Sequence, residues 1–295
     1  MPPRTGCNFT HSSLFLAAVA VISADLAFFP LPARGQESQP ITSPAAAPPA
    51  GTSSANGDGT AGRSPILNKL AEWHVEIGAG GAVSPKFEGS KDQHLSPLPW
   101  FSATFGDRVK VNPEGIAVRA YSFDGFTLSG RLGYDLGRDE GDATHLNGLG
   151  DVDAGVNLGT EITYETGPLQ LKATLDRTIG GSDGLVMALQ LSYVRRFGRF
   201  GLSLGPSVTW ADGNYMGSYF SVNHHQASRS GLSRYDADAG FKRVDFAADL
   251  SYDLTANWVL QSRANLGYLL PAASDSPVVQ EKWQPSLMLG VIYKF

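Results

Sequence analysis

The chain has 295 residues, 42% hydrophobic and only 17% charged, with a formal net charge of −5 and a single cysteine, Cys7. An acidic balance without a basic stripe excludes a nucleic-acid footprint, and one cysteine excludes a disulfide framework. Beyond residue 35 no run reaches the roughly 18 apolar residues of a membrane helix.

Residues 1–35 read as a secretory signal peptide. Arg4 lies near the start, an apolar run extends from Leu14 to Ile22, and Ala33-Arg34-Gly35 is a small-residue cleavage site. Pro30 and Pro32 just before it leave the exact cut open. Residues 36–72 read as a disordered periplasmic segment rich in Pro, Ala, Ser and Gly. Almost no large apolar side chain precedes Ile66, so burial cannot offset the entropy of ordering. A tether is the plain role for this segment, and partner binding is the alternative.

From Trp73 to Phe295 the chain alternates with period two, between turn residues. Twelve stretches follow one another: 73–85, 94–106, 109–121, 126–137, 152–165, 168–179, 184–197, 200–211, 214–223, 242–254, 258–270 and 284–295. The expected fold is all-β, an antiparallel transmembrane β-barrel of about twelve strands, with ten to fourteen as the range the less regular stretches allow. In 242–254 one face carries Val244, Phe246, Ala248, Leu250, Tyr252 and Leu254, and the other Asp245, Ala247, Asp249, Ser251 and Asp253. In 200–210 Phe200, Leu202, Leu204, Pro206, Val208 and Trp210 oppose Gly201, Ser203, Gly205, Ser207 and Thr209. The polar faces are small and rich in Gly and Ser, as in a lumen. A soluble sandwich would show more Lys and Glu there. Aromatic residues gather at strand ends, where an interfacial girdle sits.

The turns set a register. Gly198-Arg199 joins Phe197 to Phe200. Thr255-Ala256-Asn257 joins Leu254 to Trp258 and so places Asp249 opposite Arg263. Pairing Tyr164 with Leu169 places Glu161 opposite Lys172. These four residues are candidate lumen ion pairs, serving either an occluded barrel or a selective pore. An even strand count puts both termini on the periplasmic side, and counting back from the end puts 138–151 there too. The last stretch, SLMLGVIYKF, carries an apolar face that ends on Tyr293 and Phe295, the candidate signal for the barrel insertion machinery.

Other groupings carry less. His225 and Ser228 could suggest a hydrolase, but a loop Ser near a His is more often solvated. His224 and His225 are adjacent and point apart on an extended chain. Asp135, Asp139, Glu140, Asp142 and Asp151 do not match a calcium-loop spacing. No catalytic, cofactor or metal site is expected, and the chain does not read as an enzyme.

Several stretches together resemble one family. They are Pro85-Lys86-Phe87-Glu88-Gly89-Ser90 with Pro97-Leu98-Pro99; Tyr134-Asp135-Leu136-Gly137-Arg138-Asp139 with Leu149-Gly150-Asp151; Tyr215-Met216, Tyr219-Phe220, Ser230-Gly231-Leu232 and Tyr235; Ser276-Pro277-Val278-Val279; and Tyr293-Lys294-Phe295. The set resembles the MltA-interacting protein (MipA)/OmpV family of outer-membrane proteins, with Phe87 where a Tyr is expected. The resemblance covers about 73–295. It implies location in the Gram-negative outer membrane, in contact with its lipid, and a scaffold role linking a lytic transglycosylase to a murein synthase. A porin-like channel for small solutes and a surface adhesin are the alternatives within the family.

Overall fold

In the computed structural model the described residues are 73–295; the signal peptide and the Pro/Ala/Ser/Gly-rich segment expected over 1–35 and 36–72 lie outside them. Twelve strands form one sheet: β1 (Trp73–Pro85), β2 (Gln93–Phe105), β3 (Val109–Asn112), β4 (Gly115–Phe123), β5 (Phe126–Asp135), β6 (Gly155–Thr166), β7 (Leu169–Ile179), β8 (Leu185–Phe197), β9 (Phe200–Ala211), β10 (Gly240–Asp253), β11 (Trp258–Leu269) and β12 (Trp283–Lys294). Neighbours in sequence pair antiparallel, and β1 also pairs with β12, which closes the ring. Closure leaves no sheet edge at the seam, the arrangement a sheet needs in hydrocarbon.

The strand faces follow the alternation. Leu287, Leu289, Val244, Phe246, Leu250, Leu189 and Leu191 point outward and are exposed. Ser129, Lys172, Thr174, Ser192, Ser203, Thr209 and Arg263 point inward and are buried. Aromatic pairs ring the end with the short turns: Trp73–Phe105 at 4.7 Å, Phe126–Tyr164 at 4.3 Å, Phe200–Tyr252 at 4.6 Å and Trp258–Tyr293 at 5.0 Å between ring centroids. At the other end Tyr268 meets Trp283 at 4.8 Å. These are the two girdles of a membrane-spanning barrel.

Two expected elements differ. The stretch 214–223 is not a strand. It holds helix α1 (Gly213–Phe220), followed by α2 (His224–Ser230). Asp212 caps α1 by accepting from the Tyr215 amide at 2.9 Å. Tyr215, Met216, Tyr219 and Phe220 recur at helical spacing, and Tyr215, Met216 and Phe220 are buried together on one side. The stretch 109–121 is two strands, β3 and β4, because Pro113 and Glu114 turn the chain. Asn112 closes that turn by accepting from the Glu114 amide at 3.1 Å, and Gly115 sits at φ +137° with no room for a Cβ beside the Leu132 carbonyl.

These two differences cancel in the count and change the topology. With α1 out of the sheet, the connection from β5 to β6 moves to the other mouth. It now lies with the long connections 86–92, 212–239 and 270–282, at the end that faces the cell exterior in outer-membrane barrels. Among the described residues the opposite mouth has only short turns, such as Asp124-Gly125, Gly167-Pro168 and Gly198-Arg199. The expectation of a periplasmic 138–151 is therefore overturned.

The face assignment has a direct test. Leu250→Arg should cost about 2–4 kcal/mol in folding titrations into lipid vesicles, the midplane cost of a charge in acyl chains. Ala247→Arg, which points into the lumen, should cost less. The reverse order would invert the inside and the outside of the barrel.

Candidate functional site: a capped mouth over a charged lumen

The long connections do not stand apart as loops. They pack into a cap with two apolar cores. One joins Ala211, Tyr215, Met216, Phe220, Ala237, Leu269 and Ala273. The other joins Phe87, Ala143, Leu146, Leu149, Val222 and Val278, contributed by four different connections. Leu146, Met216, Phe220, Leu269 and Val222 are all but fully buried. The apolar area they remove from water makes the cap a folded unit, since each such side chain contributes on the order of 1.5–3 kcal/mol.

Polar bonds tie the connections to one another. Arg138 Nη1 donates to the Tyr219 carbonyl at 2.8 Å, and the Tyr219 hydroxyl donates to the Asp135 carboxylate at 2.9 Å. His145 Nε2 lies 3.0 Å from the Pro277 carbonyl oxygen. Gln226 Nε2 donates to the Leu149 carbonyl at 2.6 Å, and the Ser276 hydroxyl donates to the Phe220 carbonyl. Glu140 accepts from the amides of Gly148 and Gly150 at 3.0 and 2.8 Å and pairs with Arg229 at 3.2 Å.

Beneath the cap sits a buried ion cluster. Lys242 Nζ lies 2.9 Å from Glu88 Oε2 and donates to the Tyr215 hydroxyl at 3.0 Å. It is also 4.4 Å from the centre of the Tyr215 ring. Arg243 pairs with Asp245 at 2.6 Å and lies 3.8 Å from Glu88. Burial alone would raise the Glu88 carboxyl, but Lys242 and Arg243 outweigh it and hold the group below its ordinary value. Burial and the Glu88 charge push the Tyr215 phenol well above its ordinary value, so it stays protonated and serves as a donor. Lys242 turns inward because β10 slips register between Phe241 and Arg243, a bulge that aims two consecutive basic residues at the cap.

The lumen carries the other charges. Asp249 lies opposite Arg263 and forms an ion pair with it, Arg263 buried and Asp249 partly so. Glu161 lies opposite Thr174 and Lys172 opposite Thr163, so the expected Glu161–Lys172 pairing is corrected. The turn there is the two residues Gly167-Pro168, with Gly167 at φ +57°, rather than four. That shifts the register by two residues, which keeps each face and changes each partner. Glu161 instead lies 3.7 Å from Arg131, which is also 3.7 Å from Asp176. Gly159 makes this possible: a Cβ there would meet Asp176 Oδ1 at 1.9 Å.

The other groupings find local roles. The Ser228 hydroxyl donates to the backbone carbonyl of His225 at 2.8 Å and does not address its imidazole. His224 and His225 are exposed, with rings 6.1 Å apart. Asp139 and Asp142 cap a short 3-10 turn, and Asp151 accepts from the Glu140 amide at 2.8 Å. Among the described residues no three His, Cys, Asp or Glu side chains gather as metal ligands. Tyr293 stacks edgewise on Phe295 at 4.8 Å on the outward side of β12.

A closed antiparallel ring with an apolar exterior, two aromatic girdles and one capped mouth defines an integral β-barrel of the Gram-negative outer membrane. The chain belongs to the family described as MltA-interacting protein MipA, whose pattern matches residues 77–295. It is similar to the MltA-interacting proteins of Escherichia coli (strain K12) and Shigella flexneri, 27% identical to each over 240 residues, which is 76% of this chain and 92% of each relative. Among solved structures it is loosely similar to the NanC porin, with 11% identity, 76% of this chain and 100% of that one covered, and a TM-score of 0.39. That likeness carries no argument about function. The stretches that carry the family resemblance mostly converge on the cap: Glu88, Asp135, Arg138, Leu149, Tyr215, Tyr219 and Val278 all stand in it. Sequence reading took these stretches for separate motifs and missed Lys242 and Arg243. The signal was present, since two adjacent basic residues interrupt the alternation after Phe241.

Three outcomes are expected. Lys242→Met should leave the Glu88 charge buried without its main partner and destabilise the cap by about 3–5 kcal/mol. Adding Glu88→Gln should recover much of that, as read by limited proteolysis of the folded barrel. Because the folded Glu88 carboxyl titrates below its unfolded value of 4.5, its stabilisation is present above that pH and fades as pH falls below it. Cap protection from protease should therefore hold at neutral pH and drop in acid, and Glu88→Gln should remove that dependence. Separately, Arg263→Ala should destabilise the barrel more than the double change with Asp249→Ala, with a coupling on the order of 1 kcal/mol in a double-mutant cycle.

Proposed function

We propose that this barrel is a non-enzymatic envelope scaffold that holds murein-processing partners at the inner face of the outer membrane. The observation that carries the reading is the packed cap over the outer mouth. A solute channel needs an open path, whereas here four connections, one of them carrying α1 and α2, share buried apolar cores at that mouth. The family relatives are named for interacting with MltA, and a partner of that kind is the one proposed for this chain. A lytic transglycosylase would be joined with a murein synthase, as the family resemblance implies. The short inner turns leave the inner rim plain among the described residues, and Trp73, where β1 begins, pairs with Phe105 at it. Tyr293, in the outward row of β12, and Phe295, the residue that follows the strand, are proposed as the residues read by the insertion machinery.

The deciding experiment pairs two readouts on the full chain. Solubilised envelopes should yield a lytic transglycosylase together with the barrel, and the purified barrel should stay silent in planar bilayers. Reproducible conductance by the unmodified protein, with no murein enzyme retained, would replace the scaffold with a channel. Phe295→Ala should lower the amount of heat-modifiable barrel in outer-membrane fractions; normal amounts would remove that residue from the insertion signal.

A further inference from the structure

The outward rows of the twelve strands hold almost no charge. Among the described residues only Arg177 of β7 and Arg195 of β8 place an ionised group there, one toward each end of the barrel. Alternation sets their direction: exposed Leu175 and Ile179 flank Arg177, and exposed Tyr193 and Phe197 flank Arg195. Arg177 has a carboxylate close by, since Asp212, the cap of α1, lies 3.6 Å away.

Arg195 has no such neighbour. It is exposed and stands opposite Leu202 of β9. Phe197 follows it, and then the Gly198-Arg199 turn, where Arg199 is exposed as well. The acids at these strand ends face the lumen. Asp253 pairs there with Arg196, and Glu165 accepts from Gln170 Nε2 at 2.6 Å. Among the described residues no ion pair reaches Arg195 or Arg199. Two arginines thus stand where the lipid face meets the inner mouth, with no counter-charge from the chain.

Depth decides what can answer them. Phe197 pairs with Phe200, and Phe200 stacks on Tyr252 at 4.6 Å between ring centroids, so this level is the aromatic girdle. Arg195 sits between Tyr193 and Phe197, roughly 7 Å along the strand from the last pair. A charge deep among acyl chains is costly. At the girdle a long side chain keeps its methylenes in hydrocarbon and extends its charge to the headgroup layer. There the planar guanidinium fork matches two oxygens of a phosphate. A zwitterionic headgroup brings its own cation to such a site and an anionic one does not, so net charge selects between them.

We propose that Arg195 and Arg199 form a binding site for the phosphate of an anionic phospholipid in the periplasmic leaflet. Its acyl chains lie against the same wall, along outward-facing Leu191 and Leu202. An acidic polymer of the periplasm offers the same charge from water, but the outward row and its aromatic flanks favour the lipid. The proposal concerns the outer wall and does not depend on the scaffold reading.

Photolabelling tests it. The full chain is folded into phosphatidylcholine vesicles containing phosphatidylglycerol with a diazirine on its headgroup, irradiated, and mapped by mass spectrometry. Adducts should concentrate on residues 193–202 relative to girdle positions without a cation, such as Phe126 and Trp258. A phosphatidylcholine probe of the same design should label all three places alike. Arg195→Gln should lower the enrichment about fivefold, and the double change with Arg199→Gln about thirtyfold, at ~1 kcal/mol for each basic residue near anionic lipid. Arg195→Lys should keep most of it, because the charge remains. The mapping on the unmodified chain stands even where a variant folds poorly. Phosphatidylglycerol adducts spread evenly round the girdle overturn the proposal, and so does an enrichment that survives both substitutions. Loss of the enrichment on adding soluble murein fragments would assign the arginines to a periplasmic polymer and overturn it too.

Discussion

Pairing of backbone polar groups inside hydrocarbon is the constraint on which the rest of this molecule depends. An unpaired N–H or C=O in lipid costs several kcal/mol, so a sheet can span the membrane only by closing on itself. Closure joins β1 to β12 and fixes which face of each strand meets lipid. The outward face must then be apolar, and the inward face is left to small polar residues and to charges that neutralise one another, such as Arg131 between Glu161 and Asp176. The short β3 cuts the ladder back beside β2, pairing with it only at Ala103, Thr104 and Phe105.

The cap obeys a second constraint, that a buried charge needs a partner. Glu88 is brought under the cap by the first connection, Lys242 by a bulge at the start of β10, and Tyr215 by the first turn of α1. None is near another in sequence. Their meeting ties two connections to β10 of the barrel and helps hold the two apolar cores over the mouth. A protein so built spends its elaboration on the outer end and keeps the inner end plain.

Much of this was legible without coordinates, and the misses have physical causes. The outward and inward rows of β9, β10 and β12 follow directly from alternation, as does the Asp249–Arg263 register, because a short turn between two strong strands admits few pairings. The Glu161–Lys172 pairing failed at one turn, where Gly167 permits a tighter reversal than the four-residue loop assumed. Alternation cannot detect such a slip, since moving by two residues preserves every face. The stretch 214–223 failed for another reason. Its aromatic residues satisfy both a strand and a helix pattern over so few positions, and the Asp212 cap decides for the helix.

What the sequence by itself determined is the class of fold, the lipid face, the membrane it belongs to and the family, because these rest on periodicities and motifs local to single strands. Only the tertiary structure decided which mouth carries the long connections, that the scattered motif stretches form one cap, and that Glu88 answers Lys242. Those properties depend on the number of strands between each connection and the end of the chain, and on contacts between residues more than a hundred positions apart. A single misassigned strand reverses the first, and no local pattern encodes the second.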